Sequence, residues 1–123
     1  MRARILLLAL PLLATILSPA AAQEAQPDPA DIAAGKTLAE ANCAICHAIG
    51  PAGASTLKVA PPFRDIALMY DPEELEDAFN EGVPTDHPAM PDWQMTPDQA
   101  RQLAAYIMSL RDSGKLRSEL GKP

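Results

Sequence analysis

Five consecutive residues, Cys43-Ala44-Ile45-Cys46-His47, constrain this chain more than any other feature of its sequence. The two cysteines are three positions apart, so their thiols share one face of a helical turn, and an imidazole follows directly. The chain contains no other cysteine, and its second histidine is His87. Two thiols and an imidazole at this spacing form the attachment signature of a c-type haem, in which each thiol makes a thioether with one vinyl group.

Three other uses of the pentad remain open at this point. A thioredoxin-type redox pair opens a helix that follows a strand, whereas here a helical pattern ends at the cysteines and no strand precedes them. A zinc site would need His87, and an adjacent Cys and His are awkward for tetrahedral ligation. A disulfide across two residues closes too small a loop to add much stability. The sequence favours covalent haem c, in one copy.

The N-terminal 22 residues predict a cleaved secretory signal. Residues 1–4 include two arginines, residues 5–17 are almost wholly apolar, and Ala20-Ala21-Ala22 supply small side chains for cleavage. The apolar stretch of 13 residues is shorter than the roughly 20 that span a bilayer. We therefore expect a signal over 1–22, a single exported domain over 23–123 with its core at about 30–111, a periplasmic location, and no stable membrane insertion after cleavage.

The predicted mature chain is acidic, with 16 Asp and Glu against 8 Lys and Arg and a net charge of −8. This balance argues against a nucleic-acid partner. Residues 71–98 hold nine acids and no Lys or Arg, whereas residues 101–122 hold five bases and two acids. Two interpretations stay open: an acidic face that docks basic redox partner proteins, or ordinary solvated acids at helix starts. We expect a monomer.

Proline directly after a capping residue predicts three helix starts, at Asp28-Pro29, Asp71-Pro72 and Thr96-Pro97. The first helix ends near Asn42 and delivers the cysteines, and the second stops at Gly82. A short helix is predicted over 63–70, after a loop rich in glycine, alanine and proline. Because alternating β-branched runs are absent from the sequence, the predicted fold class is all-α.

A second iron ligand is predicted between the last two of these helices. Met90 lies between Pro88 and Pro91, which stiffen the backbone and reduce the entropy lost in presenting a thioether to iron. Met95 is the alternative, although its place beside the N-cap of the last helix also fits a hydrophobic staple. His87 is a weaker candidate, because only one of His87 and Met90 would reach the iron.

With these residues in place, the chain resembles a class I, single-haem cytochrome c of the bacterial type. The matching pieces are Gly35-Lys36 and Leu38, the pentad, residues 60–63, Met90-Pro91, and Leu103, Tyr106 and Leu110. The resemblance implies three to four helices wrapped around one covalently bound haem, with Gly35 against the face of Tyr106. It also implies that the Pro61 carbonyl accepts a hydrogen bond from His47 Nδ1 and that Met90 is preferred over Met95.

A haem iron held by His47 and Met90 has no open position, so the sequence predicts an electron carrier and not an enzyme. Tyr70 and Trp93 are candidate haem contacts, with core packing as the alternative. Arg64 is either a partner for a haem propionate or a solvated side chain, and Met69 is expected to fill core space. Two other functions stay open: a gas sensor or peroxidase-like haem protein, and a fixed electron-transfer subunit of a larger dehydrogenase or oxidase.

Overall fold

The computed structural model describes residues 27–82, 89–91 and 93–112. This part of the chain contains four α-helices and no strand, which confirms the all-α prediction. The helices are α1 (Pro29–Asn42), α2 (Phe63–Met69), α3 (Pro72–Glu81) and α4 (Pro97–Ser109). The predicted signal segment, the C-terminal tail and His87 lie outside the described residues. Within those residues, no helix has the length and apolarity that crossing a membrane requires.

The helix starts follow the capping signals in the sequence. Asp28 accepts a hydrogen bond from the Ala30 amide at 2.8 Å, which satisfies a free donor in the first turn of α1. At α4 the pair is reciprocal: the Gln99 amide donates to Thr96 Oγ1 at 3.3 Å, and the Thr96 amide donates to Gln99 Oε1 at 3.1 Å. Local sequence therefore determines where these helices begin.

Helix α4 crosses α1 at close range, and Gly35 is the residue that allows the approach. A Cβ atom at position 35 would overlap the backbone carbonyl of Gln102 and come within 2.9 Å of the Cβ of Tyr106. The structure therefore brings Gly35 against Gln102 and Tyr106 of α4, and the contact with the face of the Tyr106 ring stays a prediction. Beside the crossing, Arg101 Nε donates to Asp31 Oδ2 at 3.1 Å.

The core lies on the buried face of α4, where α1, α2 and α3 all pack. Leu103 and Ile107 are essentially inaccessible to solvent and form its centre. Phe63 brings α2 to this centre, and Leu75 and Phe79 bring α3. The apolar face that the sequence predicts for α4 is therefore the face around which the fold is built.

Arg111 joins α4 to the end of α2, which the sequence did not predict. Its Nε donates to the Ala67 carbonyl and its Nη2 donates to the Tyr70 carbonyl, each at 2.9 Å. These carbonyls belong to the C-terminal turn of α2, which lacks helical partners for them and carries partial negative charge. Helix α2 ends at Met69, one residue earlier than predicted, because the Tyr70 backbone is extended.

Candidate haem-binding site

A cavity of about 800 Å³ lies between the end of α1, the segment before α2, and the faces of α3 and α4. Its size falls within the range of roughly 300–1,000 Å³ that is typical of small-molecule and cofactor sites. Most of its lining is aliphatic, aromatic or sulfur-containing, and no Asp, Glu, Lys or Arg is among the described lining residues. Such a cavity suits a large, flat, mainly apolar ligand.

The pentad forms a single tight turn at the C-terminal end of α1. The Cys43 amide donates to the Ala39 carbonyl at 2.9 Å, and the His47 amide donates to the Cys43 carbonyl at 2.9 Å. Cys43, Cys46 and His47 all line the cavity, and both cysteines are free thiols. The two thiols and the imidazole therefore face the same space, as attachment of one haem requires.

Burial raises the pKa of the Cys43 thiol to about 11, with a smaller contribution from the neighbouring Cys46. A redox-active Cys-x-x-Cys pair depends on the opposite shift, since its attacking thiol needs a low pKa to be a thiolate near neutral pH. The pair also ends a helix and does not begin one. Both observations argue against the thioredoxin-type interpretation. The zinc interpretation depends on His87, outside the described residues.

The His47 ring is oriented by two neighbours. Its Nδ1 lies 2.7 Å from the Pro61 carbonyl oxygen, and its ring centroid lies 5.5 Å from that of Phe63 with the planes inclined at 52°. A carbonyl oxygen only accepts hydrogen bonds, so Nδ1 must be the donor, and the lone pair is on Nε2. This arrangement leaves Nε2 as the metal-binding atom.

The segment between His47 and α2 is tied back to the pentad by hydrogen bonds. The Leu57 amide donates to the Cys46 carbonyl at 3.1 Å, and the Ala48 amide donates to Ser55 Oγ at 3.0 Å. The Phe63 amide donates to the Ala48 carbonyl at 3.0 Å, and the Tyr106 hydroxyl from α4 donates to the Ile49 carbonyl at 2.9 Å. These bonds hold the segment that presents Pro61 to the imidazole.

The structure brings both candidate methionines to the cavity. Met90 and Met95 are each half-buried and line it, and Met95 also packs against the hydrophobic core. Because both methionines lie at the cavity, the assignment of Met90 as the iron ligand stays a prediction. Tyr70 and Trp93, the candidate haem contacts, line the same cavity.

The expectation for Met69 is wrong, and so is one of the two alternatives for Arg64. Met69 does not fill the core: it is 64% exposed, because it is the last residue of α2 and projects at the edge of the cavity. Arg64 is not solvated: it is 1% exposed, because the segment after His47 folds over it. The Arg64 guanidinium donates to the Gly53 carbonyl, and Arg64 is not among the described cavity-lining residues.

Sequence reasoning missed several apolar residues at the cavity, notably Ile45, Leu57 and Val59. Ile45 is 80% exposed although it is aliphatic and lies between the two cysteines. The sequence signal that could have identified Ile45 is its position between the two cysteines. An apolar group bound to both thiols would cover an aliphatic side chain placed there. Val59 lacks such a signal, since its position depends on how the preceding loop folds.

The residues present fit a covalent haem. Two thiols that can form thioethers, an imidazole with a free Nε2 and the sulfurs of the two candidate methionines, Met90 and Met95, are gathered around an apolar cavity of suitable volume. Within the described residues there is no group of three or more His, Cys, Asp and Glu side chains arranged to hold a bare metal ion.

Comparison with known proteins agrees with this chemistry. A family profile described as cytochrome c oxidase, cbb3-type, subunit III matches residues 30–107, well over half of the chain. A cytochrome c-552 of Bradyrhizobium diazoefficiens is 35% identical over 82 residues, which cover 67% of this chain and 77% of that protein. No solved structure matches.

A second relative is much longer than this chain. It is a cytochrome bc1 complex cytochrome c subunit of Corynebacterium diphtheriae, 36% identical over 91 residues, which cover 70% of this chain but 30% of that subunit. The chain belongs to the family that the profile describes, and it is a c-type cytochrome of the class I kind. The predicted fold, the covalent haem c and the role in electron transport are thereby confirmed.

Proposed function

We propose that the protein is a periplasmic electron carrier whose single haem c is attached to Cys43 and Cys46 and ligated by His47 and Met90. The observation that carries the proposal is the contact of His47 Nδ1 with the Pro61 carbonyl at 2.7 Å, beside both thiols in a cavity whose described lining is mainly apolar. Donation from Nδ1 directs Nε2 to the iron. The predicted signal over 1–22 supports the periplasmic location.

The haem supplies a one-electron couple between ferric and ferrous iron when it is bound. The protein residues tune and protect that couple. The apolar lining excludes water and disfavours the extra charge of ferric iron, and a thioether from Met90 is a soft ligand that favours the ferrous state. If His47 and Met90 both held the iron, its ligands would change little on electron transfer.

Catalysis of peroxide reduction is the less favoured alternative. Such an enzyme needs an open iron position and an acid–base group on the distal side. The described lining residues include no carboxylate, and His47 is used as the proximal ligand in this proposal.

A fixed subunit of a respiratory complex is a second candidate, which the name of the Corynebacterium relative favours. Purification from membranes in a stable complex would support that candidate over a free shuttle.

The first test is the absorption spectrum of the mature protein, oxidised and reduced, with and without carbon monoxide. We expect low-spin spectra in both states, a sulfur-to-iron charge-transfer band in the oxidised state, and no response to carbon monoxide. Haem should remain attached in alkaline pyridine after denaturation. A high-spin spectrum, or a shift on adding carbon monoxide, would contradict methionine ligation. Gas sensing or peroxide reduction would then be the favoured function.

We further propose that α3 forms an acidic docking surface for basic redox partners. Its exposed acids are Glu73, Glu74, Asp77 and Glu81, and the helix contains no base. Opposite charge on a partner would speed encounter at low salt, and salt would screen the attraction.

Small redox reagents test the acidic surface without the natural partner. Reduction of the ferric protein by cationic hexaammineruthenium(II) should slow as ionic strength rises, whereas oxidation of the ferrous protein by anionic ferricyanide should accelerate. Neutralising Glu73, Glu74 and Asp77 together should lower the low-salt rate with the cation by roughly tenfold. The control is Glu40→Gln, an exposed acid of α1 that pairs with Lys36. Equal effects of the two variants for each charge removed would mean that total charge, and not this surface, steers encounter.

A further inference from the structure

Arg64 is a buried cation that has little local compensation. It is the second residue of α2 and is 1% exposed. Its Nη2 donates to the Gly53 carbonyl at 2.8 Å, while Nε and Nη1 have no hydrogen-bond partner in the described part of the chain. Asp65 Oδ1 lies 3.8 Å from Nε, which is too long for a hydrogen bond, and the Asp65 side chain is about half exposed. Water therefore screens this carboxylate.

The charge lies immediately behind the wall of the haem site on the His47 side. Phe63, the preceding residue, lines the cavity and packs its ring against the His47 ring. The Gly53 carbonyl that accepts from Arg64 belongs to the segment that follows His47, and this segment is bonded to the pentad through Leu57. Because both sides of Arg64 are packed protein, its field is less screened than that of a surface charge.

We propose that Arg64 raises the reduction potential of the haem. Ferric iron carries one more positive charge than ferrous iron, so a nearby buried cation destabilises the oxidised state more than the reduced state. The proposal rests on the proposed function, since it takes the iron to be ligated by His47. Arg64 is not among the described lining residues, so in this proposal the positive charge acts from the layer behind that lining.

The decisive comparison is between Arg64→Gln and Arg64→Lys, measured by spectroelectrochemical titration of the haem-loaded protein. Glutamine removes the charge but keeps an N–H donor for the Gly53 carbonyl, whereas lysine keeps the charge and loses the guanidinium geometry. We expect the equilibrium constant for reduction to fall about tenfold in R64Q, which is 59 mV for a one-electron couple. In R64K it should stay within about twofold of the parent.

Two control variants separate charge from structure. Thr96→Ala removes the capping hydrogen bond at the start of α4 and lowers stability away from the His47 side without a change of charge. It should lower the unfolding midpoint and leave the potential unchanged. Arg101→Gln removes one positive charge from an exposed side chain paired with Asp31 and Asp98. It should change the equilibrium constant for reduction by less than about twofold, because solvent screens that charge.

Equal shifts in R64Q and R64K, or in R64Q and R101Q, would overturn the proposal. If R64Q does not fold, Arg64→Met removes the same charge and places an unbranched apolar side chain in the buried position. It should lower the potential as R64Q does, and a potential equal to that of R64K would also overturn the proposal. The absorption spectra of the same samples report iron ligation, so failure of His/Met ligation is distinguished from failure of the charge effect.

Discussion

Replacing Gly35 with alanine should destabilise the protein by at least about 3 kcal/mol, the upper part of the range for overpacked sites. In most helix interiors the same change stabilises by up to roughly 1 kcal/mol, because glycine loses more backbone entropy on folding. Here the added methyl group would overlap the Gln102 carbonyl of α4, which is backbone and has no rotamer into which to move. Steric overlap should therefore outweigh the gain in helix propensity.

The measurement is thermal unfolding, followed by far-UV circular dichroism, of Gly35→Ala beside Gly50→Ala. No atom lies within 4 Å of a Cβ built on Gly50, so that variant makes the same chemical change without a clash. We expect a fall of roughly 10 °C or more for G35A and a change of a few degrees at most for G50A. Similar midpoints for the two variants would mean that α1 and α4 can separate without cost at this crossing.

Replacing Met90 with alanine should open one axial position of the haem. The protein should then bind carbon monoxide in the ferrous state, lose the sulfur-to-iron charge-transfer band, and show a reduction potential lower by on the order of 0.1 V. The reduction potential should fall because the variant loses a soft ligand that favours ferrous iron. The free energy of unfolding should change less in M90A than in a variant of Met95, since Met90 is not part of the hydrophobic core cluster.

Met95→Ala is the matched variant, because Met95 lines the same cavity and also packs against the core. It should keep the low-spin spectrum and the insensitivity to carbon monoxide, and lose roughly 2–4 kcal/mol of stability as a large-to-small core change. The opposite pattern, with carbon monoxide binding in M95A and not in M90A, would assign the iron to Met95. Absence of carbon monoxide binding in both single variants, with binding in the double variant, would show that either sulfur can ligate.

Much of this protein could be predicted from short stretches of sequence. The turn that carries Cys43, Cys46 and His47 follows from their spacing, and the starts of α1, α3 and α4 follow from a capping residue and proline. The hydrogen bonds that define such turns join residues a few positions apart, so neighbouring residues are sufficient to specify them. The family resemblance, which rests on the order of these pieces, predicted the all-α fold and the covalent haem correctly.

Burial was harder to predict, because it depends on which distant segments pack together. Arg64 gave no sign in the sequence that a loop 11 residues earlier would cover it. Arg111 lies 44 residues from the Ala67 carbonyl to which it donates, so its contact with α2 exists only once α4 has docked. Met69 is exposed for the converse reason, since α2 ends before its side chain can reach the core. Local spacing thus specifies the ligating turn and the helix starts, whereas long-range packing decides which charges are buried around the haem and which apolar side chains face it.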